Sequence, residues 1–78
     1  MDNRPYYMQP WDEVLGPAIS VEECEGHCLA LVGKISVLLP LEMSRRLKDA
    51  KGQRVGILRT DDDYRLRVIE GGQNGPSI

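Results

Sequence analysis

The stretch Arg54-Val55-Gly56-Ile57-Leu58-Arg59-Thr60-Asp61-Asp62-Asp63-Tyr64-Arg65-Leu66-Arg67-Val68-Ile69 decides the fold class. Val55 and Ile57 alternate with Arg54, Gly56 and Leu58 before an acidic turn, and Tyr64, Leu66 and Val68 alternate with Arg65 and Arg67 after it. Successive side chains of a strand point to opposite faces, so a period of two on both sides of a polar turn predicts a β-hairpin. The expected hairpin buries Val55, Ile57, Leu66 and Val68 on one face. It presents Arg59, Arg65 and Arg67 on the other.

Working outward, Leu41 to Ala50 has helical spacing. Leu41, Ser44 and Leu47 share a face, Met43 and Leu47 pair at i, i+4, and Ala50 follows Leu47 at i+3. Pro40 sits where a helix start tolerates proline, and Gly52 follows where a helix stop favours glycine. Leu29 to Leu39 is apolar and interrupted by Gly33, so it reads as two short strands or one strand bulged at Gly33. Ala18-Ile19-Ser20-Val21 reads as a further short strand. Residues 1–17, with Pro5, Pro10 and Pro17 around Tyr6, Tyr7 and Trp11, are expected to form an irregular arm. Residues 18–70 then make a small domain, and residues 71–78, without apolar periodicity, a flexible tail.

The chain has 78 residues, two cysteines, one tryptophan and no phenylalanine. That allows one small domain filled by Leu, Val and Ile, with an expected stability of about 4–12 kcal/mol at roughly 0.05–0.15 kcal/mol per residue. Domains this small usually draw on disulfides, a metal or a partner subunit. Two cysteines make no disulfide framework, so oligomerisation is the expected support. No stretch approaches the roughly 18 apolar residues of a membrane span. The opening residues lack the apolar run of a secretory signal, and the expected location is cytoplasmic. The net charge of −2 conceals a division. Residues 1–33 hold one base against six acids, whereas residues 34–69 hold nine bases against five acids.

Cys24, His27 and Cys28 lie within five residues, yet a closed zinc site wants about four ligands, commonly in two separated pairs, and His27 is the only histidine. The expectation is no metal and no cofactor; the rivals are a zinc closed within the chain by Cys24, His27, Cys28 and a carboxylate, and a zinc shared across an oligomer. Asp61-Asp62-Asp63 lacks the spaced oxygens and glycine of a calcium loop and reads as a solvated turn. No phosphate-binding glycine loop and no nucleophile elbow is present, so no enzyme is expected.

Gly33-Lys34, the apolar run to Leu39-Pro40, then Glu42, Leu47, Gly52, Val55, Ile57, an acidic turn and Leu66 form a longer pattern. It resembles the AbrB/MazE swapped-hairpin family over roughly residues 28–69. That resemblance implies a homodimer whose hairpins interleave into one barrel, and DNA binding as a regulator or antitoxin. The combined expectation is a mainly β small barrel with one short α-helix, interleaved as a homodimer, that binds duplex DNA. The candidate contacts are Lys34, Arg45, Arg46, Arg54, Arg59, Arg65 and Arg67, because phosphate neutralisation by Lys and Arg dominates nucleic-acid affinity. The rival readings are a protein-interaction module, an adaptor or subunit anchored by Tyr6, Tyr7 and Trp11, and an RNA-binding protein.

Overall fold

The computed structural model of the chain describes residues 4–69. Its strands are β1 (Tyr6–Tyr7), β2 (Glu13–Cys24), β3 (His27–Val32), β4 (Ile35–Pro40), β5 (Arg54–Arg59) and β6 (Tyr64–Val68). Between β4 and β5 a 3-10 turn (Leu41–Met43) runs into the helix α1 (Ser44–Asp49). The strands form one sheet in the order β1-β4-β3-β2-β5-β6, with β1 parallel to β4 and the other neighbours antiparallel. The protein is mainly β with one short helix, and its sheet curls into a half-barrel.

The curl originates in β2. Its first part, Glu13 to Pro17, pairs with β5, and its second part, Ala18 to Cys24, pairs with β3, with a bulge between Ala18 and Ser20. A strand that changes partner midway must bend, and bulges and glycines accommodate such bends. Gly16 supplies the room: a Cβ there would lie 3.3 Å from both Cα and N of Gly33. Two chain reversals are tied to this bend. Gly33 N–H donates to the Pro17 carbonyl at 2.8 Å, and Gly52 N–H donates to the Ala18 carbonyl at 2.8 Å.

The concave face holds Val14, Ala18, Cys28, Ala30, Val32, Val37, Leu39, Val55 and Ile57. Met43, Leu47 and Ala50 close it from the helical segment, while Leu41 at the start of that segment stays 42 % exposed. The apolar run around Gly33 is two strands. They join through Gly33-Lys34, with φ +61° at Gly33, the position that two-residue hairpins reserve for glycine.

Residues 1–17 are not an irregular arm throughout. β1 adds to the edge of β4, Met8 is buried in the core, and residues 13–17 are the beginning of β2. Pro17 is accommodated because the carbonyl of its partner Arg54 already accepts from Ile69 N–H at 2.8 Å. Residues 71–78, read as a tail, lie outside the described residues.

The hairpin forms, but its faces differ from the expectation at two points. The register pairs Val55 with Val68, Ile57 with Leu66 and Arg59 with Tyr64. Arg59 therefore shares the face of Val55 and Ile57, and Arg54 joins Arg65 and Arg67 on the other. Val68 is 39 % exposed and Leu66 only partly buried, because β6 is the free edge of the sheet.

The turn between β2 and β3 gives a stability test. Glu25 and Gly26 take φ +49° and +79° between the paired Cys24 and His27, which is the pattern of a type I′ turn. Holding an L-residue in the left-handed region costs roughly 1–2 kcal/mol, and Asn tolerates that region better than Glu. Glu25→Asn is expected to raise the melting temperature by a few degrees, since about 1 kcal/mol moves it by about 4–8 °C in a domain of this size. A lower melting temperature by circular dichroism would contradict the turn assignment.

Candidate nucleic-acid interface

The convex face of β5 and β6 alternates outward from the core residues. Arg54, Gly56 and Leu58 lie on β5, and Arg65 and Arg67 lie on β6 opposite Leu58 and Gly56. Glu13 and Leu15 of β2 flank them. Gly56 leaves space at the centre, for a Cβ there would come within 2.9 Å of Leu15 Cδ2 and 3.6 Å of Arg67 Nε. A groove of about 410 Å³ results, lined by Glu13, Gly56, Leu58, Arg65, Leu66 and Arg67. The carboxylate of Glu13 lies 3.7 Å from Arg67, both exposed, an arrangement worth about 0–1 kcal/mol. Arg54 and Arg65 have no ion pair among the described residues.

Two lysines lie in chain reversals tied to the bend of β2. Pro17 lies opposite Arg54 and accepts from Gly33 N–H, which brings the turn bearing Lys34 alongside. Lys51 precedes Gly52, which is bonded to Ala18. Lys34, Lys51 and Arg54 are all exposed. Lys51 was not singled out from the sequence. Only the hydrogen bonds of Gly52 and Gln53 to Ala18 reveal its position.

Arg45 and Arg46 are exposed on α1. Arg46 Nη2 donates to the Leu66 carbonyl at 3.4 Å, and Arg46 and Arg67 together line a second groove of about 270 Å³ with Asp49, Gln53 and Val68. Lys48 pairs with Glu23 at 3.1 Å. Ser44 Oγ donates to the same carboxylate oxygen at 2.5 Å, and that hydrogen bond, followed by Lys48, holds the Glu23 carboxyl below its ordinary range.

Arg59 is separate from this surface. Its guanidinium donates to the Met8 carbonyl and lies 5.6 Å from the centre of the Tyr64 ring. It fastens the N-terminal segment to the hairpin, so the structure removes it from the outward arginine stripe.

The three aromatics sit on that fastened segment. Asp12 N–H donates to the Gln9 carbonyl at 3.0 Å, closing a turn with Pro10 and Trp11 at its centre and φ +70° at Trp11. That pattern fits a type II turn, whose third position ordinarily takes glycine. Trp11 Nε1 donates to Asp61 Oδ1 at 3.1 Å, and the Tyr6 hydroxyl donates to Asp12. The bond from Tyr6, then that from Gln9 N–H, lowers the Asp12 carboxyl from its ordinary range. Tyr6 is 41 % exposed, and Tyr7 and Trp11 are each 62 % exposed. The acids that anchor the aromatics, Asp12 and Asp61, carry no signal in the sequence beyond their charge.

Strand alternation divides the Cys24, His27 and Cys28 cluster. Cys24 and His27 pair across the turn on the convex side, while Cys28 points into the core and is fully buried. Among the described residues no group of three or more His, Cys, Asp and Glu side chains is placed to share a metal ion. Burial, and then the Glu23 carboxylate, pushes the Cys28 thiol above its ordinary value. Because the thiolate is the reactive form, iodoacetamide is expected to modify Cys24 in the folded protein and to reach Cys28 only after denaturation. Equal labelling of both under native conditions, read by mass spectrometry, would contradict this placement. No helix among the described residues is long and apolar enough to cross a membrane. No family model matches the chain, and no curated protein or solved structure matches it.

Proposed function

We propose that this chain is a small non-enzymatic nucleic-acid-binding protein, a DNA-binding regulator or antitoxin-like protein that contacts duplex DNA through the convex face of β5 and β6. The observation that carries the proposal is the alignment of Arg54, Arg65 and Arg67 on one face; exposed Lys34 and Lys51 lie in turns tied to the adjoining bend of β2. Alternate strand positions hold these cations on one side of a rigid sheet, where they can meet successive phosphates without reorganisation. The resemblance of the Gly33-to-Leu66 pattern to the AbrB/MazE family points in the same direction.

Charge also selects the face. Partly open five-stranded barrels of the kind that bind oligonucleotides do so on the face of their second and third strands. Here the second and third strands of the five that follow the arm are β3 and β4. Their outer face carries leucines and is bordered by Glu22 and Glu25. Phosphate is therefore assigned to the arginine face instead.

The test is a fluorescence anisotropy titration of a labelled duplex across salt concentrations. Each neutralised phosphate contributes about 0.9 to the slope of log K against log salt, so a slope of about −3 to −4.5 per chain is expected for three to five contacts. No binding at low salt would end the proposal. The exposed Trp11 and Tyr7 would then favour the protein-interaction reading, since Trp and Tyr dominate interface hot spots. A preference for single-stranded RNA over the duplex would shift the ligand but keep the face.

A further inference from the structure

The edge of β4 is open at its C-terminal end. β1 pairs with it only as far as Tyr7 opposite Leu38, after which Met8 turns into the core. β4 then closes on Pro40, which has no N–H to offer a further strand. The edge therefore ends in a groove and not in a longer ladder. This groove, of about 400 Å³, runs between the end of β4 and Tyr64 at the start of β6. Its walls are Tyr7, His27, Leu38, Pro40, Leu41 and Tyr64, and the buried Leu39 lies at its base. Tyr7 and Leu41, two of the large apolar side chains left exposed on the molecule, both belong to it.

Charge and hydrogen bonding define the occupant. No Lys or Arg lines the groove. Two exposed carboxylates border it, Glu25 next to Gly26 and Glu42 next to Leu41, and neither has an ion pair among the described residues. Arg59 lies 5.6 Å from the centre of the Tyr64 ring, but its guanidinium is engaged by the Met8 carbonyl. The Tyr7 and Tyr64 hydroxyls make no hydrogen bond among the described residues. His27 Nδ1 donates to the Glu25 carbonyl at 3.2 Å, which leaves Nε2 as an acceptor. We propose that this groove binds a basic, proline-rich segment of a partner protein in the polyproline II conformation, with Lys or Arg of that segment against Glu25 and Glu42. Such a helix has no internal hydrogen bonds, so its carbonyls are free to accept from the tyrosines. Its proline rings pack on aromatic walls, and it is ordered before it binds. Residues 70–78 do not supply the ligand, since they carry Glu70 and no Lys or Arg.

The volume suits a short segment and not a folded domain, being near the small end of the range of about 300–1,000 Å³ for ligand sites. Few side chains then carry the affinity, with Tyr7 foremost, because tyrosine is enriched among interface hot spots. The carboxylates at the rim repel phosphate, so the groove is a site separate from the arginine face of β5 and β6. The inference does not depend on nucleic-acid binding there.

Fluorescence anisotropy of a labelled decaproline flanked by arginines, titrated with the full chain, tests this. Saturable binding is expected. Exchanging the flanking arginines for glutamates, or the prolines for alternating glycine and serine, is expected to weaken it by about tenfold or more. Tyr7→Ala is expected to weaken it by about tenfold. Leu41→Ser lies outside the short β1 ladder, guards against loosening of that strand, and is expected to weaken binding by about threefold or more. Glu25→Lys with Glu42→Lys is expected to remove the preference for arginine flanks, while changing Arg54, Arg65 and Arg67 to Ala is expected to leave binding unchanged. No binding of the arginine-flanked decaproline at about 1 mM protein overturns the proposal. Equal binding of the glycine-serine peptide also overturns it, by reducing the interaction to charge attraction. Binding that survives both Tyr7→Ala and Leu41→Ser overturns the location. A flank preference that survives the charge reversals overturns the role of Glu25 and Glu42.

Discussion

Leu47→Ala is expected to destabilise the protein by about 2–5 kcal/mol, the range for removing a fully buried leucine and leaving a cavity. Leu47 is 0 % exposed and is the largest side chain that α1 inserts into the half-barrel. Its neighbours on the helical segment, Ser44 and Ala50, are small, and Met43 sits in the turn before it. A backbone formed by six helical residues collapses poorly into a vacated site when both of its ends are held. One end is the edge of β4, and the other is Gly52, bonded to Ala18. Against a total stability of about 4–12 kcal/mol, the loss is expected to lower the melting temperature by about 10 °C or more, at about 4–8 °C per kcal/mol. A change of under about 3 °C in a circular dichroism melt would show that α1 does not close the core.

The second large effect concerns binding. Changing Arg54, Arg65 and Arg67 together to Ala is expected to remove most duplex affinity at low salt while leaving the fold intact. The three side chains point away from the core, and the ion pair of Arg67 with Glu13, the one these arginines make among the described residues, is exposed. Losing three phosphate contacts reduces the slope of log K against log salt by about 2.7 per chain, at about 0.9 per contact. Arg59→Ala makes the informative control. It is expected to loosen the N-terminal segment by releasing the Met8 carbonyl and to leave the salt slope unchanged. If the triple variant binds as well as wild type, phosphate contact belongs elsewhere, with Arg45 and Arg46 the next cations to test.

The contrast between Arg59 and Arg54 shows how far the sequence could be read. The hairpin was legible because period-two alternation is a local property. The same alternation places Arg59, two residues after Ile57 and four after Val55, on their face, so setting it beside Arg65 and Arg67 broke the period; only the phase of β6 relative to β5 depends on the loop between Arg59 and Tyr64. Pairing Arg59 with Tyr64 sets odd positions of β5 against even positions of β6, so Arg65 faces the side of Leu58. The helix was legible from its spacing and from Pro40 and Gly52. The N-terminal segment was harder to read. Three prolines and a strand of two residues leave no period to detect, and the burial of Met8 depends on a guanidinium 51 positions away. β2 was under-read for a related reason. Gly16 and Pro17 look like breaks, yet one gives the bend its clearance and the other stands where the ladder asks for no N–H. The separation of Cys28 from Cys24 and His27 follows from alternation once the turn at Glu25-Gly26 is placed, and the turn itself is marked only by its glycine.

The most direct test of the central claim, that the convex face of β5 and β6 contacts nucleic acid, is a two-dimensional amide NMR titration of the full chain with a short duplex at low salt. Shifts are expected to concentrate at Gly33 and Lys34, at residues 51–56, and at residues 65–67, with the amides of Leu29, Leu31 and Leu38 unmoved by the duplex. Shifts confined to β3 and β4 or to residues 6–12, or none at a large excess of duplex, would contradict it.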